Sequence, residues 1–251
     1  MKIPFKEINY LTENNLPKKF AQLYISVRIK ENRVLSDKQL LQLPNAPLSN
    51  TNFKEWQVRK KSAHRFLNYL SNRKSVDTIL DLGCGNGWFS NLIAKSFPSI
   101  KVTGLDINEV ELKQANKVFQ KDNLQFAFGD IFSSQGDNFK NKFDLIVLNA
   151  CVQYFSDFLN LISRIITFLK PNGEIHIIDS PFYKKNEVAK AKHRSIKYYT
   201  KLGFPEMAEN YFHHSLENLK DFEILYQPKK MILFKFLKKT EVPFLWAKKA
   251  I

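Results

Sequence analysis

Residues 77–90, DTILDLGCGNGWFS, decide the fold. An apolar run from Thr78 to Leu82 leads into Gly83, Gly85 and Gly87, and a helical apolar pattern starts at Trp88. The chain has eight glycines in all, and three of them fall within these five positions. Strand, glycine turn and helix in that order make a ligand cradle, because missing side chains let backbone N–H groups and a helix N-terminus approach a bound molecule closely.

Strand patterns over 101–105, 124–128, 143–148 and 174–179 then alternate with helical ones over 88–95, 109–119 and 157–169. Pro171-Asn172-Gly173 reads as the turn before the last of these strands. Apolar strands separated by helices predict a doubly wound, mostly parallel α/β sheet covered on both faces. Upstream, a helix is expected over 18–28, and Pro44 and Pro47 mark a non-helical connector. A second helix is expected from Asn52, whose spacing to Glu55 is that of a capping box. Phe53, Trp56, Ala63, Phe66, Leu67 and Leu70 give it one apolar face. Downstream, a basic helix over 187–202 stops at Gly203 and Pro205, and strands are expected over 222–226 and 243–246. The domain reading is a basic helical cover over 1–75 and a Rossmann-like domain over 76–251 with an insertion at 181–215.

The net charge of +15 is unevenly spread: +10 over 1–75, −3 over 76–180 and +8 over 181–251. Two readings of the basic flanks stand open: solvated helix faces, or a surface that attracts an anionic partner such as phosphate, carboxylate, RNA or lipid headgroup. The segment 229–239 alternates lysines with bulky apolar residues, which fits peripheral contact with an anionic membrane as well as a buried sheet edge. No leader or membrane-spanning run is read in the sequence, so a cytoplasmic protein is expected, with membrane association through 229–239 as the variant. Cys84 and Cys151 are expected as reduced thiols, Cys84 as a small buried filler and not a nucleophile.

Beyond the glycine turn, Asp106 ends the second strand where an acidic side chain accepts hydrogen bonds from both ribose hydroxyls. Ile107 is placed to cover an adenine face. Asp130 can accept from an exocyclic amine while the Ile131 N–H meets a ring nitrogen, and Asn149 closes the fourth strand opposite the turn. A dinucleotide fingerprint would need a small residue at position 88, where the chain has Trp, and no Gly-Lys-Ser/Thr follows as a phosphate loop requires.

ILDLGCGNGWFS (79–90), VTGLDIN (102–108), FGDIF (128–132), FDLIVLNACVQYF (143–155) and LKPNGEIHIID (169–179) together resemble the class I S-adenosylmethionine-dependent methyltransferases in order and spacing. The resemblance covers about residues 76–180. It implies a seven-stranded sheet with an antiparallel last strand, and S-adenosyl-L-methionine as cofactor with S-adenosyl-L-homocysteine as product. It also implies that Asp81 and the segment Gly83, Cys84, Gly85 and Gly87 hold the methionine portion, Asp106 the ribose, Ile107, Asp130 and Ile131 the adenine, and Asn149 the fourth-strand wall.

Methyl transfer from a sulfonium is an in-line displacement that needs alignment and, for an N–H or O–H nucleophile, a destination for the proton. The candidates past the strand ends are Tyr154, Asp179, Tyr183, His213 and His214, with a histidine the natural base and the tyrosines pocket walls. Asn149-Ala-Cys-Val lacks the prolines that grip exocyclic amines in base methyltransferases. A small-molecule or lipid-associated acceptor, anionic in view of the flanks, is therefore expected first. RNA methylation and a non-catalytic S-adenosylmethionine-binding partner subunit are the alternatives, and no metal is expected.

Overall fold

The computed structural model describes residues 7–11, 18–73, 75–228 and 242–251. Eight strands form one sheet: β1 (Asn9–Tyr10), β2 (Thr78–Leu82), β3 (Lys101–Asp106), β4 (Leu124–Phe128), β5 (Phe143–Asn149), β6 (Leu169–Ile178), β9 (Glu223–Tyr226) and β10 (Trp246–Ala250). Their spatial order is β1-β4-β3-β2-β5-β6-β10-β9. β10 runs antiparallel to both neighbours, and the other pairs are parallel. The doubly wound sheet with an antiparallel last strand is as expected, but it has eight strands instead of seven. The extra one is β1, whose two residues pair with Ala127 and Phe128 and carry too short a pattern to be read in sequence.

Period-two alternation sends neighbouring strand residues to opposite faces. Ile79, Val102, Phe126 and Val147 enter one core with α3 (Phe53–Ser71) and α4 (Trp88–Ser96). Leu80, Leu105, Ala127 and Leu148 enter the other, where α6 (Phe158–Ile166) lays down Phe158, Leu161 and Ile165. The remaining helices are α1 (Lys18–Lys30), α2 (Asp37–Leu41), α5 (Glu109–Val118) and α7 (Val188–Leu202). A separate two-stranded parallel pair joins β7 (Phe182–Tyr183) to β8 (His214–Ser215).

Several local expectations need correction. Asn52 precedes α3 without a side-chain cap hydrogen bond, because Glu55 is drawn away by Arg33 and Arg59. The strand expected at 243–246 lies at Trp246–Ala250. Its lysines hid it, and Lys248 is in fact tied to Glu223 at 2.8 Å. The helix expected to 169 ends at Ile166, and Pro171-Asn172-Gly173 falls inside β6, whose regular pairing with β5 begins at Glu174. Gly203 does stop α7, in the left-handed conformation. The amphipathic segment 229–239 lies outside the described residues. No described helix is long and apolar enough to cross a membrane.

Candidate active site

The chain winds from β2 through β3 to β4 and then returns to place β5 beside β2. Ligands in such sheets bind beyond the carboxyl ends of the strands where the order reverses. The glycine turn covers that point. Gly83, Gly85 and Gly87 all have positive φ, and a Cβ on Gly83 would stand 2.6 Å from the Cys151 Cβ. The turn amides are not bare, as the sequence suggested. Gly83 and Cys84 N–H donate to the Leu105 carbonyl, Gly87 N–H to the Cys84 carbonyl, and Gly85 N–H to the Asp106 carboxylate at 2.8 Å. The amides thus fasten the turn to β3, and the glycines provide room.

Three cavities converge here. The first, about 420 Å³, is lined by Gly83, Gly85, Asp106, Ile107, Asp130 and Ile131 from the strand ends, with Phe20, Ala21 and Tyr24 from α1. Asp106 is held by the Gly85 and Asn108 N–H groups, one to each carboxylate oxygen. Each oxygen keeps a second lone pair for a ligand. Burial pushes this carboxyl up, against the pull of those N–H groups. Ile107 is 37% exposed on the lining. Asp130 accepts from Phe132 N–H through Oδ1. Ile131 is buried, and its carbonyl accepts from Arg164 Nε.

The second cavity, about 70 Å³, continues past Gly83, Cys84 and Gly85 to Arg28, Glu111 and Asn149. Burial pushes Glu111 up to about 7, with Arg28 opposing and Asp106 adding to the rise. Arg28 Nε and Asn149 Oδ1 are buried without partners among the described residues. Buried polar atoms are rarely left so. Asp81 stands in β2 outside the lining of these cavities. One of its oxygens accepts from Ser90 Oγ at 2.5 Å, and the other has no partner among the described residues. Burial pushes it up to about 7. Cys84 and Cys151 are free and buried, their thiols pushed up by burial.

The third cavity, about 800 Å³, opens between α1, α3 and α7. Glu55 anchors it by gripping Arg33 through both oxygens and Arg59 through one. Burial works against the Glu55 anion, yet Arg59 and Arg33 hold it down to about 2. Tyr24 and Ala150 border all three cavities, Ala150 with φ of 56°. Such a backbone is uncommon outside glycine and clusters at functional sites.

Among the base candidates, Tyr154 borders the first and third cavities, and Tyr183 and Asp179 line the third. Asp179 binds Ser62 through one oxygen, and burial pushes it up to about 6. His213 is off the lining, its Nε2 2.9 Å from Ser195 Oγ. His214 is buried against Phe158 and Phe182, with Nε2 3.1 Å from the Val152 carbonyl. Burial lowers the pKa of both rings. Sequence reasoning missed Tyr24, Arg28, Arg33 and Glu111. The one available signal was the four-residue spacing of Tyr24 and Arg28, which puts them on one helix face. No cluster of three or more His, Cys, Asp or Glu suited to a metal occurs among the described residues.

The arrangement fits S-adenosylmethionine. The first cavity suits a purine riboside, with Asp106 for the hydroxyls, and the opposite charges of Arg28 and Glu111 in the second match an amino-acid carboxylate and ammonium. Unpartnered Asn149 Oδ1 and Arg28 Nε are what such a ligand would complete.

Residues 73–227 match a family model described as a methyltransferase domain. Among curated proteins, the malonyl-[acyl-carrier protein] O-methyltransferase of Acetivibrio thermocellus is 29% identical over 163 residues, covering 62% of this chain and 56% of that protein. The trans-aconitate 2-methyltransferase of Deinococcus radiodurans is 30% identical over 125 residues, covering 50% and 46%. The chain spans about half the length of the curated relatives it matches. Among solved structures, the plantazolicin methyltransferase BpumL in complex with SAH superposes with a TM-score of 0.51 at 20% identity, covering 84% of this chain and 88% of that one. A geranyl diphosphate methyltransferase in complex with SAM gives 0.53 at 13% identity, covering 72% and 74%. At these identities the superpositions show a shared fold.

Proposed function

The chain belongs to the class I S-adenosylmethionine-dependent methyltransferases, and from that membership we propose that it methylates a small-molecule acceptor seated in the third cavity. The observation that carries this reading is the meeting of all three cavities at Tyr24 and Ala150. When bound, S-adenosylmethionine supplies a methyl carbon already activated by its sulfonium. The protein's part is alignment and exclusion of water. Asp106 accepts from the ribose, Ile107 covers the adenine, and Asp130 with Ile131 meets its edge. Arg28 and Glu111 hold the amino-acid end, and Asn149 caps the fourth strand beside it. Tyr154 stands between the cofactor and acceptor spaces and orients the acceptor. The helices α1 and α3 act as the cover, since they supply Tyr24, Glu55 and Arg59 to the acceptor side.

The relative named for trans-aconitate methylation supports a small acceptor, and those named for malonyl-[acyl-carrier protein] support a small acyl group carried on a protein. The basic flank supports RNA less than its charge suggests, because Arg28, Arg33 and Arg59 turn inward to the cavities. The test supplies labelled S-adenosylmethionine to the protein with cell extract and separates small molecules, lipid, protein and RNA. Label in the small-molecule or lipid fraction is expected. Label in RNA alone, or tight S-adenosylhomocysteine binding with no label anywhere, would refute the proposal and favour an RNA methyltransferase or a non-catalytic subunit respectively.

A further inference from the structure

Resting on the third cavity as the acceptor site, we propose that the acceptor is an aromatic carboxylate. With Arg28 given to the cofactor, Arg33, Lys54, Arg59 and Arg194 border this cavity against Glu31, Glu55 and Asp179, a surplus of one positive charge. The acids do not cancel the cations evenly. Glu55 is spent on Arg33 and Arg59, and Glu31 lies 3.2 Å from Arg33 but 3.9 Å from Arg28, at the limit of an ion pair. Arg28 faces the amino-acid end of the cofactor and adds nothing to this balance. Lys54 and Arg194 make no ion pair among the described residues. The Arg194 guanidinium on the lining is thus left for a planar oxyanion, which matches its forked donors.

The walls specify the rest of the molecule. Tyr24, Tyr154, Tyr183, Tyr198, Tyr199 and Tyr211 all line this space, six of the nine tyrosines in the chain. Tyr154 meets Tyr24 and Tyr211 edge to face, with ring centroids 5.6 and 5.8 Å apart, and Tyr211 lies 6.0 Å from Tyr199. Such a box of ring faces and edges favours a flat π body over an aliphatic one of equal size. The hydroxyls of Tyr24, Tyr183, Tyr199 and Tyr211 make no hydrogen bond among the described residues. They are donors for polar substituents on that ring. One surplus charge suits a carboxylate better than a phosphate dianion.

Calorimetry with saturating S-adenosylhomocysteine tests this with four probes: naphthalene-2-carboxylate, its carboxamide, cyclohexanecarboxylate and 2-naphthyl phosphate. The naphthoate is expected to bind at least about tenfold more tightly than each of the others, the difference a charge-assisted hydrogen bond makes against the carboxamide and ring contacts make against the cyclohexane acid. Arg194→Gln, on the exposed face of α7, is expected to weaken the naphthoate about fivefold and leave the carboxamide and S-adenosylhomocysteine unchanged. Equal binding of the carboxamide or the cyclohexane acid, or tighter binding of the phosphate, overturns the proposal. Failure of S-adenosylhomocysteine itself to bind would sink the methyltransferase reading separately, and the naphthoate titration repeated without it would still judge the cavity.

Discussion

The cofactor side and the acceptor side of this molecule are made from different materials. The cofactor side is built mainly on strand ends: the turn at Gly83 to Gly87, Asp106 with Ile107, and Asp130 with Ile131 each come from one short stretch at or just after the end of a strand, and only the amino-acid end draws on helices, through Arg28 and Glu111. The acceptor side is assembled from helices, with Tyr24 on α1, Glu55 and Arg59 on α3, and Arg194 and Tyr199 on α7. Strand ends are fixed by the hydrogen-bond ladder, whereas helix faces are fixed only by packing and ion pairs. The first side should therefore be rigid and intolerant of change, and the second adjustable.

Gly83→Ala is the harshest test of that contrast. The new Cβ would stand 2.6 Å from the Cys151 Cβ on a backbone with φ of +70°. A loss of more than about 2 kcal/mol in chemical denaturation is expected, with partial recovery on adding Cys151→Gly. Normal stability in the single variant would show the cradle to be soft.

Next comes Asp106→Ala, which releases the Gly85 and Asn108 N–H groups along with any ribose contact. S-adenosylhomocysteine affinity should fall at least tenfold, the equivalent of about 1.5–3 kcal/mol, while NAD should bind neither form. Unchanged affinity would move the nucleoside elsewhere.

Acid–base behaviour separates the two sides more finely. Burial raises Asp81 from 3.8 to about 7 and Asp179 from 3.8 to about 6. Between the unfolded and folded values the native state holds protons that the unfolded chain has released, so stability falls as pH rises across this window. For Asp81 the loss between about pH 4 and 7 is at most about 4 kcal/mol. Asp81→Asn should flatten the decline throughout, and Asp179→Asn only the part below about pH 6. Denaturation midpoints at pH 4.5, 6 and 8 would show whether the order is reversed.

The smallest effect is expected on the outer face of α7. Lys190→Gln with Lys197→Gln, both exposed and without ion pairs among the described residues, should change stability by less than about 0.5 kcal/mol and leave cofactor affinity unchanged.

The same contrast explains what the sequence could disclose. Strands β2 to β6 were legible because burial on both faces leaves an unbroken apolar run, and the residues after them sit where the topology requires. β10 was displaced in the reading because Lys248 and Lys249 interrupt its pattern, and no residue near 248 announces Glu223 as a partner. Asn52 and Glu55 had capping-box spacing, but a distant arginine outcompeted the local hydrogen bond. The histidines illustrate the same limit. Tandem His213-His214 suggested chemistry, yet β8 pairs with β7 and turns His214 into the core. Arg28 meets Glu111 and the glycine turn only because α1 crosses the strand ends, a contact that spans about a third of the chain and leaves no local pattern.

Glu55 and its two arginines bear on how the formal charge of +15 behaves in solution. Mobile ions screen exposed charges over roughly 8 Å at physiological ionic strength but reach enclosed ones poorly. Arginines directed into a cavity thus contribute little to what a passing polyanion meets outside, while a molecule that has entered feels them almost undimmed. Added salt should strip adventitious polyanions from the lysine-bearing exterior well before it dislodges an occupant.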